Sequence, residues 1–376
     1  MNIFLKGYSF GNRMCIVARS ENVYQELLDR KTDIMHICGD GFITFQPGSL
    51  KYKCDQVNPD RLEKLCDYDI VEISDTGVLY RAFANNEADT TIFLGAKCNS
   101  NCIMCPAGDA ERRKGFSYSR DFLMKYIEYL PAELEYIVVT GGEPTMQPDL
   151  FLEVLDRVRE KYPYTQVLLL TNGRSLSDQW LFEQVSKRHP KHFRVAIPIH
   201  GASHELHDYI TRAPGSFGQT MLALKRLMTS DIKVEIRIVV TKTNSDNLLE
   251  IAKLITNNFK NVFCINFIGL EPRGNCALNF ETVYIDHRTS FQKSKPAIQH
   301  LVSHGYDVRL YNYPLCAVDR DFWPIASKSI SGYKNIYHKD CDRCDVKSVC
   351  GGFFTAAMSI AKPQVFPITA KEIVDE

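Results

Sequence analysis

The sequence predicts an α/β fold built on a parallel sheet, and three observations predict it. Six short apolar runs recur between residues 90 and 269: "TTIFLG", "LEYIVVTG", "QVLLLTNG", "HFRVAIPIHG", "KVEIRIVVT" and "NVFCINFIG". Helical patterns such as "LFLEVLDRVREKY" and "SDNLLEIAKLITNNF" lie between most of them. Polar motifs follow the apolar runs directly. Strands alternating with helices at this spacing imply crossover connections and a parallel sheet. Six units make an incomplete, TIM-like (β/α)6 barrel rather than a closed eight-stranded one.

The elements follow in chain order. Residues 1–88 carry short β-like runs ("HICGDGFITF", "DIVEISDTGVLYRAF") and one helical pattern, "NVYQELLDR", which together read as a small mixed α/β domain. Its expected role is either docking of a peptide or partner by strand addition, or a cap over the open side of the barrel. Cys15, Cys38, Cys54 and Cys66 are too evenly spread there to form a ligand set. The barrel occupies 89–275. Asn244, Ser245 or Asp246 is available to cap the helix that begins near Leu248. Residues 276–313 extend the barrel by a helix–strand pair around "AIQHLVSHGYDVRLYNY", and 314–376 form an irregular, cysteine-bearing region.

Composition narrows the function. The chain has 376 residues, 45% of them hydrophobic, with 45 Lys plus Arg against 45 Asp plus Glu. Zero formal charge and no long basic cluster disfavour nucleic acid as substrate, since phosphate neutralisation calls for a basic face. No apolar run reaches the length of a membrane span. The start, "MNIFLKGYSFGNRMC", lacks the basic head and apolar core of a secretory signal. Thirteen cysteines in such a chain point to a reducing, cytoplasmic setting and to metal ligands or buried thiols rather than disulfides.

In a parallel barrel the loops leaving the C-terminal strand ends collect the chemistry. The first carries Cys98, Cys102 and Cys105; the second Gly141-Gly142-Glu143-Pro144; the third Thr171-Asn172-Gly173; the fourth "IHGAS"; the sixth "GLEPRG". Zinc and fully ligated iron–sulfur clusters usually take four protein ligands, so three thiolates leave a coordination position open. An amino-acid amine and carboxylate could chelate an iron left open in this way. Glu143 could accept a hydrogen bond from that amine, and Gly141 and Gly142 permit close backbone approach.

Cys98-x3-Cys102-x2-Cys105 after one strand, then Gly141-Gly142-Glu143 after the next, resembles the radical S-adenosylmethionine (SAM) superfamily over residues 90–275. The resemblance implies a SAM-binding 4Fe–4S cluster on the three cysteines, whose electron cleaves SAM to methionine and a 5′-deoxyadenosyl radical. It also implies cofactor contacts from Gly141, Gly142, Glu143 and Asn172. Met104 stands where the family usually has an aromatic residue against the adenine, and its backbone keeps that position as a binder. Pro198-Ile199-His200-Gly201 replaces a Ser-x-Asp-Gly-like strand end. His200 is open to two readings, a cofactor or substrate contact and a structural hydrogen-bonding histidine. Arg237 is likewise open between the SAM carboxylate and a buried ion pair. No residue is assigned as the catalytic base.

The tail offers Cys316 and Cys341-x2-Cys344-x5-Cys350, the complement of one fully coordinated auxiliary 4Fe–4S cluster, with structural zinc as the alternative. The spacings resemble the start of the auxiliary-cluster domain of peptide-modifying radical SAM enzymes. "KSISGYKN" with "CDRCDVKSVCGGFF" looks like the His-Xaa-Ser system radical SAM maturase of the C type. The implied function is modification of a ribosomally made peptide or protein, fed by an electron donor such as flavodoxin or ferredoxin, with a partner maturase as a further candidate partner. A formylglycine-type sulfatase maturase and a non-catalytic iron–sulfur or zinc partner protein are the alternatives. Cys264 and Cys276, near the sixth strand, read as packing residues.

Overall fold

The computed structural model describes residues 2–5, 8, 11–38, 42–48, 51–53 and 62–369. Two sheets organise it. The first comprises β1 (Asn2–Phe4), β2 (Arg13–Ala18), β3 (Ile34–Ile37), β4 (Phe42–Gln46), β5 (Lys51–Lys53), β6 (Ile70–Ile73) and β7 (Val78–Phe83), in the order β1-β7-β6-β2-β3-β4-β5. Only the β2–β3 pair is parallel, joined by helix Glu21–Asp29.

The second sheet is wholly parallel. It runs in chain order through β8 (Asp89–Phe93), β9 (Tyr136–Thr140), β10 (Gln166–Leu170), β11 (Phe193–Pro198), β12 (Lys233–Val239), β13 (Cys264–Ile268), β14 (Val308–Tyr311) and the two-residue β15 (Ala326–Ser327). β8 and β15 are its two ends, so the sheet stays open, as six barrel units plus an extension require. The six predicted strands and the helix–strand extension are all present.

Side-chain alternation explains how this sheet holds both a core and a site. Ile137, Val139, Val167, Leu169, Val195, Ile197, Val234, Ile236, Ile238, Ile265 and Phe267 are buried in the main core. They face helices such as Pro148–Lys161, which contributes Phe151, Leu152, Val154, Leu155 and Val158. With a period of two, the intervening residues Arg194, Glu235, Arg237 and Asn266 point to the opposite, concave face.

Helix starts are fixed locally. Ser119, Asp178 and Asp286 accept from Phe122, Leu181 and Thr289 N–H groups at 3.2, 2.9 and 3.0 Å, and each such cap stabilises by ~1 kcal/mol. The helix after β12 departs from expectation. A 3-10 turn, Ser245–Asn247, precedes Leu248–Asn258, and none of Asn244, Ser245 and Asp246 caps it. Asn244 is engaged elsewhere: its Oδ1 accepts from Thr241 N and Oγ1 at 2.8 and 2.9 Å, and its Nδ2 donates to the carbonyls of His200 and Val239. It therefore ties together the rim ends of β11 and β12.

The N-terminal sheet packs on the barrel. Met14, Ile70 and Phe83 belong to the main core, Tyr118 donates to Glu72 at 2.8 Å, and Lys125 and Tyr129 both engage Asp33. Cys15 is fully buried and Cys66 exposed, while Cys54 lies outside the described residues. No described helix is long and apolar enough to cross a membrane.

Candidate functional site

The cysteine loop leaves β8 and is held on every side by hydrogen bonds. Asn101 and Ile103 N–H groups donate to the carbonyls of Thr211 and Ile210 at 3.0 and 2.9 Å. Asn275, just past "GLEPRG", donates from Nδ2 to Asn101 Oδ1 and the Cys102 carbonyl, and from its backbone to the Cys105 carbonyl. Asn279 reaches the Ile103 carbonyl, and Arg174 bonds the Asn99 carbonyl and Ser100 Oγ. These asparagines and Arg174 were not singled out from the sequence. Their signal was only that they are polar residues in the strand-exit loops.

Burial raises the Cys98 thiol and pushes Cys102 up to about 12, with the neighbouring cysteines adding to the shift. A bound metal would reverse that balance, because its charge favours the thiolate.

The Gly-Gly-Glu loop lies directly against this segment. A Cβ on Gly141 would stand 2.6 Å from the Gly95 carbonyl, and one on Gly142 would meet the Ala96 and Lys97 carbonyls more closely still. Gly142 and Glu143 N–H groups donate to Gly95 and Lys97 at 2.7 and 2.8 Å. The two glycines thus allow the second rim loop to approach the backbone leading into Cys98.

Glu143 is 3% exposed. Its Oε1 accepts from Thr145 N, Thr145 Oγ1 and Thr171 Oγ1 at 3.1, 2.6 and 2.7 Å, and its Oε2 accepts from Asn172 N at 2.7 Å. The carboxylate therefore braces the second rim loop against the third, and Oε2 keeps acceptor capacity for one more donor. Burial raises its pKa, and the four donors work against that rise. Asn172 continues the chain: Nδ2 bonds Asn99 Oδ1 at 2.6 Å and lies 3.8 Å from Cys98 Sγ.

The remaining candidates divide. Met104 is 5% exposed and packs in a small apolar cluster with Ile103, Ile210, Leu270 and Cys276. His200 is 3% exposed; burial, then the adjacent His207, holds it well below the ordinary histidine range, so it is neutral. Its backbone N–H meets His207 Nδ1 at 3.3 Å, while its own Nδ1 has no partner. Arg237 forms the ion-pair alternative, Nε to Glu235 Oε1 at 2.7 Å. Cys264 and Cys276 are buried, as packing residues are.

In the tail, Cys316, Cys341, Cys344 and Cys350 line one small pocket walled by Leu315, Tyr337, Val346, Phe353, Val365 and Phe366. Backbone N–H groups converge on its sulfurs. Leu315 and Gly352 donate to Cys350 at 3.4 Å, Ile368 to Cys344 at 3.5 Å, and Phe366 to Cys316. Four thiols in an apolar wall with N–H···S donors fit a thiolate-bound centre. Among the described residues, no three His, Cys, Asp or Glu side chains converge on a single ion. Thiolates that ligate different irons of one cluster have no need to.

Residues 92–255 match the profile of the Radical SAM superfamily. That segment is a radical SAM domain. It holds both the three-cysteine loop and the Gly-Gly-Glu brace, and it belongs to a superfamily in which a 4Fe–4S cluster and SAM are the expected cofactors.

The chain is 26% identical over 183 residues to an AdoMet-dependent heme synthase of Methanosarcina barkeri, covering 48% of this chain and 51% of the relative. It is 29% identical over 158 residues to the mycofactocin maturase MftC of Mycobacterium tuberculosis, covering 42% and 39%. The chain thus spans about half, or less, of these relatives' length. Among solved structures it is similar to Streptococcus suis SuiB bound to precursor peptide SuiA, with TM-score 0.48 and 12% identity over 61% of this chain and 49% of that one.

Proposed function

We propose that this chain is a radical SAM enzyme that modifies a ribosomally made peptide or protein in the cytoplasm, as a maturase of the His-Xaa-Ser type. The observation that carries the enzyme reading is the first rim loop, with three cysteines and the buried Glu143 brace built against it. When bound, the cluster and SAM supply the one-electron cleavage that generates the radical.

The chain's own residues hold and shield. Cys98, Cys102 and Cys105 ligate; Glu143 Oε2 offers its spare acceptor direction to the SAM ammonium; Asn172 orients Asn99 beside Cys98. The tail quartet holds an auxiliary 4Fe–4S cluster that exchanges electrons with substrate. The peptide class is supported by a relative named as a maturase, MftC. Flavodoxin or ferredoxin is the proposed electron donor, and a partner maturase remains a candidate. Zero net charge speaks against a nucleic-acid substrate.

The test is anaerobic reconstitution with iron and sulfide, reduction, addition of SAM, and chromatography for 5′-deoxyadenosine. Reductant-dependent formation is expected. Its absence from protein with a full iron complement overturns the enzyme reading.

Glu143→Ala separates cofactor binding from iron binding. It leaves the three thiols in place, so iron content should stay near wild type. Loss of a charge-assisted contact should weaken SAM binding by about tenfold or more. The same change orphans donors on Thr145, Thr171 and Asn172, so the melting temperature should fall as well. Iron loss equal to that of a cysteine variant would contradict this role.

A further inference from the structure

A second cleft lies beside the tail cysteines, and neither the cysteine loop nor the Gly-Gly-Glu brace lines it. Its volume is about 470 Å³, within the ~300–1,000 Å³ typical of ligand sites. Cys316 lines both this cleft and the pocket of the four tail thiols. A further wall is Tyr284, which packs on the apolar cluster of Ile103, Met104 and Cys276. The cleft therefore borders the tail group directly and the first rim loop through Tyr284.

Its lining carries more positive than negative charge. Arg288 and Lys362 stand against a single carboxylate, Asp286. Asp286 is already committed: it caps helix His287–Ser303, accepting from Thr289 N at 3.0 Å. Burial pushes His287 down to about 4, so that ring adds no charge. Among the described residues, neither the Arg288 guanidinium nor the Lys362 ammonium has a hydrogen bond or ion pair. Arg288 lies over the Phe366 ring, 5.4 Å from its centroid. The Tyr284 hydroxyl is buried and likewise without a partner.

Local structure accounts for neither cation. Arg288 is the second residue of its helix, where the positive end of the macrodipole opposes a cation. Lys362 has a φ of 47°, the left-handed conformation that glycine ordinarily supplies just past a helix end. Its N–H closes helix Thr355–Ile360 by donating to the Ala357 carbonyl at 2.9 Å, a bond that needs no side chain.

We propose that this cleft binds an acidic side chain of the peptide substrate, whose carboxylate is received by Arg288, Lys362 and the Tyr284 hydroxyl. This rests on the reading above that the substrate is a peptide. Phe353, Phe366 and Pro314 in the walls would cover the methylenes of that side chain. A chain-terminal carboxylate is ordinarily captured by backbone N–H groups. Here the Thr289 N–H is taken by Asp286, and the free donors are side chains.

The experiment is anaerobic calorimetry on reconstituted protein with four probes: acetyl-Ala-Glu-Ala-amide, its Gln counterpart, acetyl-Ala-Ala-Ala with a free carboxyl end, and glutarate. The Glu peptide should bind about tenfold more tightly than the Gln peptide, the gain of a charge-assisted contact. Added salt should shrink that preference. Arg288→Gln and Lys362→Gly should each remove most of it while iron content stays at the wild-type value. Lys362→Gly also relieves the left-handed backbone, so its melting temperature should not fall, and its lost binding would not report unfolding. Tyr284→Phe orphans no internal partner and should weaken the Glu peptide alone.

Equal binding of the Glu and Gln peptides overturns the carboxylate assignment. A preference that survives both Arg288→Gln and Lys362→Gly overturns the cleft as its place. Tighter binding of the free-ended Ala peptide than of the Glu peptide makes the occupant a chain terminus and overturns the side-chain reading. Binding of glutarate and of no tripeptide overturns the proposal through its premise, the peptide substrate. Binding of none of the four overturns the site itself.

Discussion

Cys102→Ala is expected to abolish 5′-deoxyadenosine formation and to remove the site cluster. Cys102 is the middle of three thiols on a loop pinned by Asn275, Asn279 and Arg174. Its side chain packs against the small apolar cluster around Ile103 and Cys276, an environment that accepts an alanine. The loss would therefore report ligation rather than misfolding. Cys276→Ala is the matched control: it is a fully buried thiol in the same cluster and should retain both iron and cleavage. Measured iron and 5′-deoxyadenosine together decide the matter. Wild-type-like cleavage by Cys102→Ala would refute the cluster assignment.

Cys344→Ala should have the opposite signature. In the proposed assignment four thiolates would leave no open iron, so the tail centre would have no place to bind SAM and would serve electron transfer or substrate placement. Its pocket is formed by the segment from Pro314 onward, and Cys344 Sγ accepts from Ile368 N, not from the barrel rim. 5′-Deoxyadenosine should persist near wild-type levels while modified peptide falls steeply. Iron should drop from about eight to about four per chain, the arithmetic of two four-iron clusters. A wild-type protein holding about four irons and one tightly bound zinc would make the tail structural. The chemistry would then lack its electron acceptor and would have to be redox-neutral.

Much of the site was legible because strand and loop signals are local. The apolar runs, the three cysteines between "TTIFLG" and "LEYIVVTG", and the Gly-Gly-Glu after the next run all lie within short windows, where periodicity and motif spacing operate. The same locality misled at the helix after β12. Asn244 has the chemistry of a cap and the right place for one, but it bonds the carbonyls of His200 and Val239. A capping preference of ~1 kcal/mol yields readily to several hydrogen bonds made elsewhere. Gly141 and Gly142 were legible as close-approach residues, but not what they approach.

The sequence by itself determined that this chain builds a parallel, incomplete barrel and places three thiols and a Gly-Gly-Glu at adjacent strand ends. Both follow from periodicity and spacing that the chain carries wherever it folds. Only the tertiary structure decided that Glu143 braces two rim loops, that Asn275 clamps a cysteine loop 170 residues earlier in the chain, and that Glu235 grips Arg237 while Arg194 stands on its other side. The physical reason is that a buried carboxylate or amide is satisfied by whichever donors packing brings within about 3 Å, and these come from separate strands. Residue spacing along the chain carries no record of that choice.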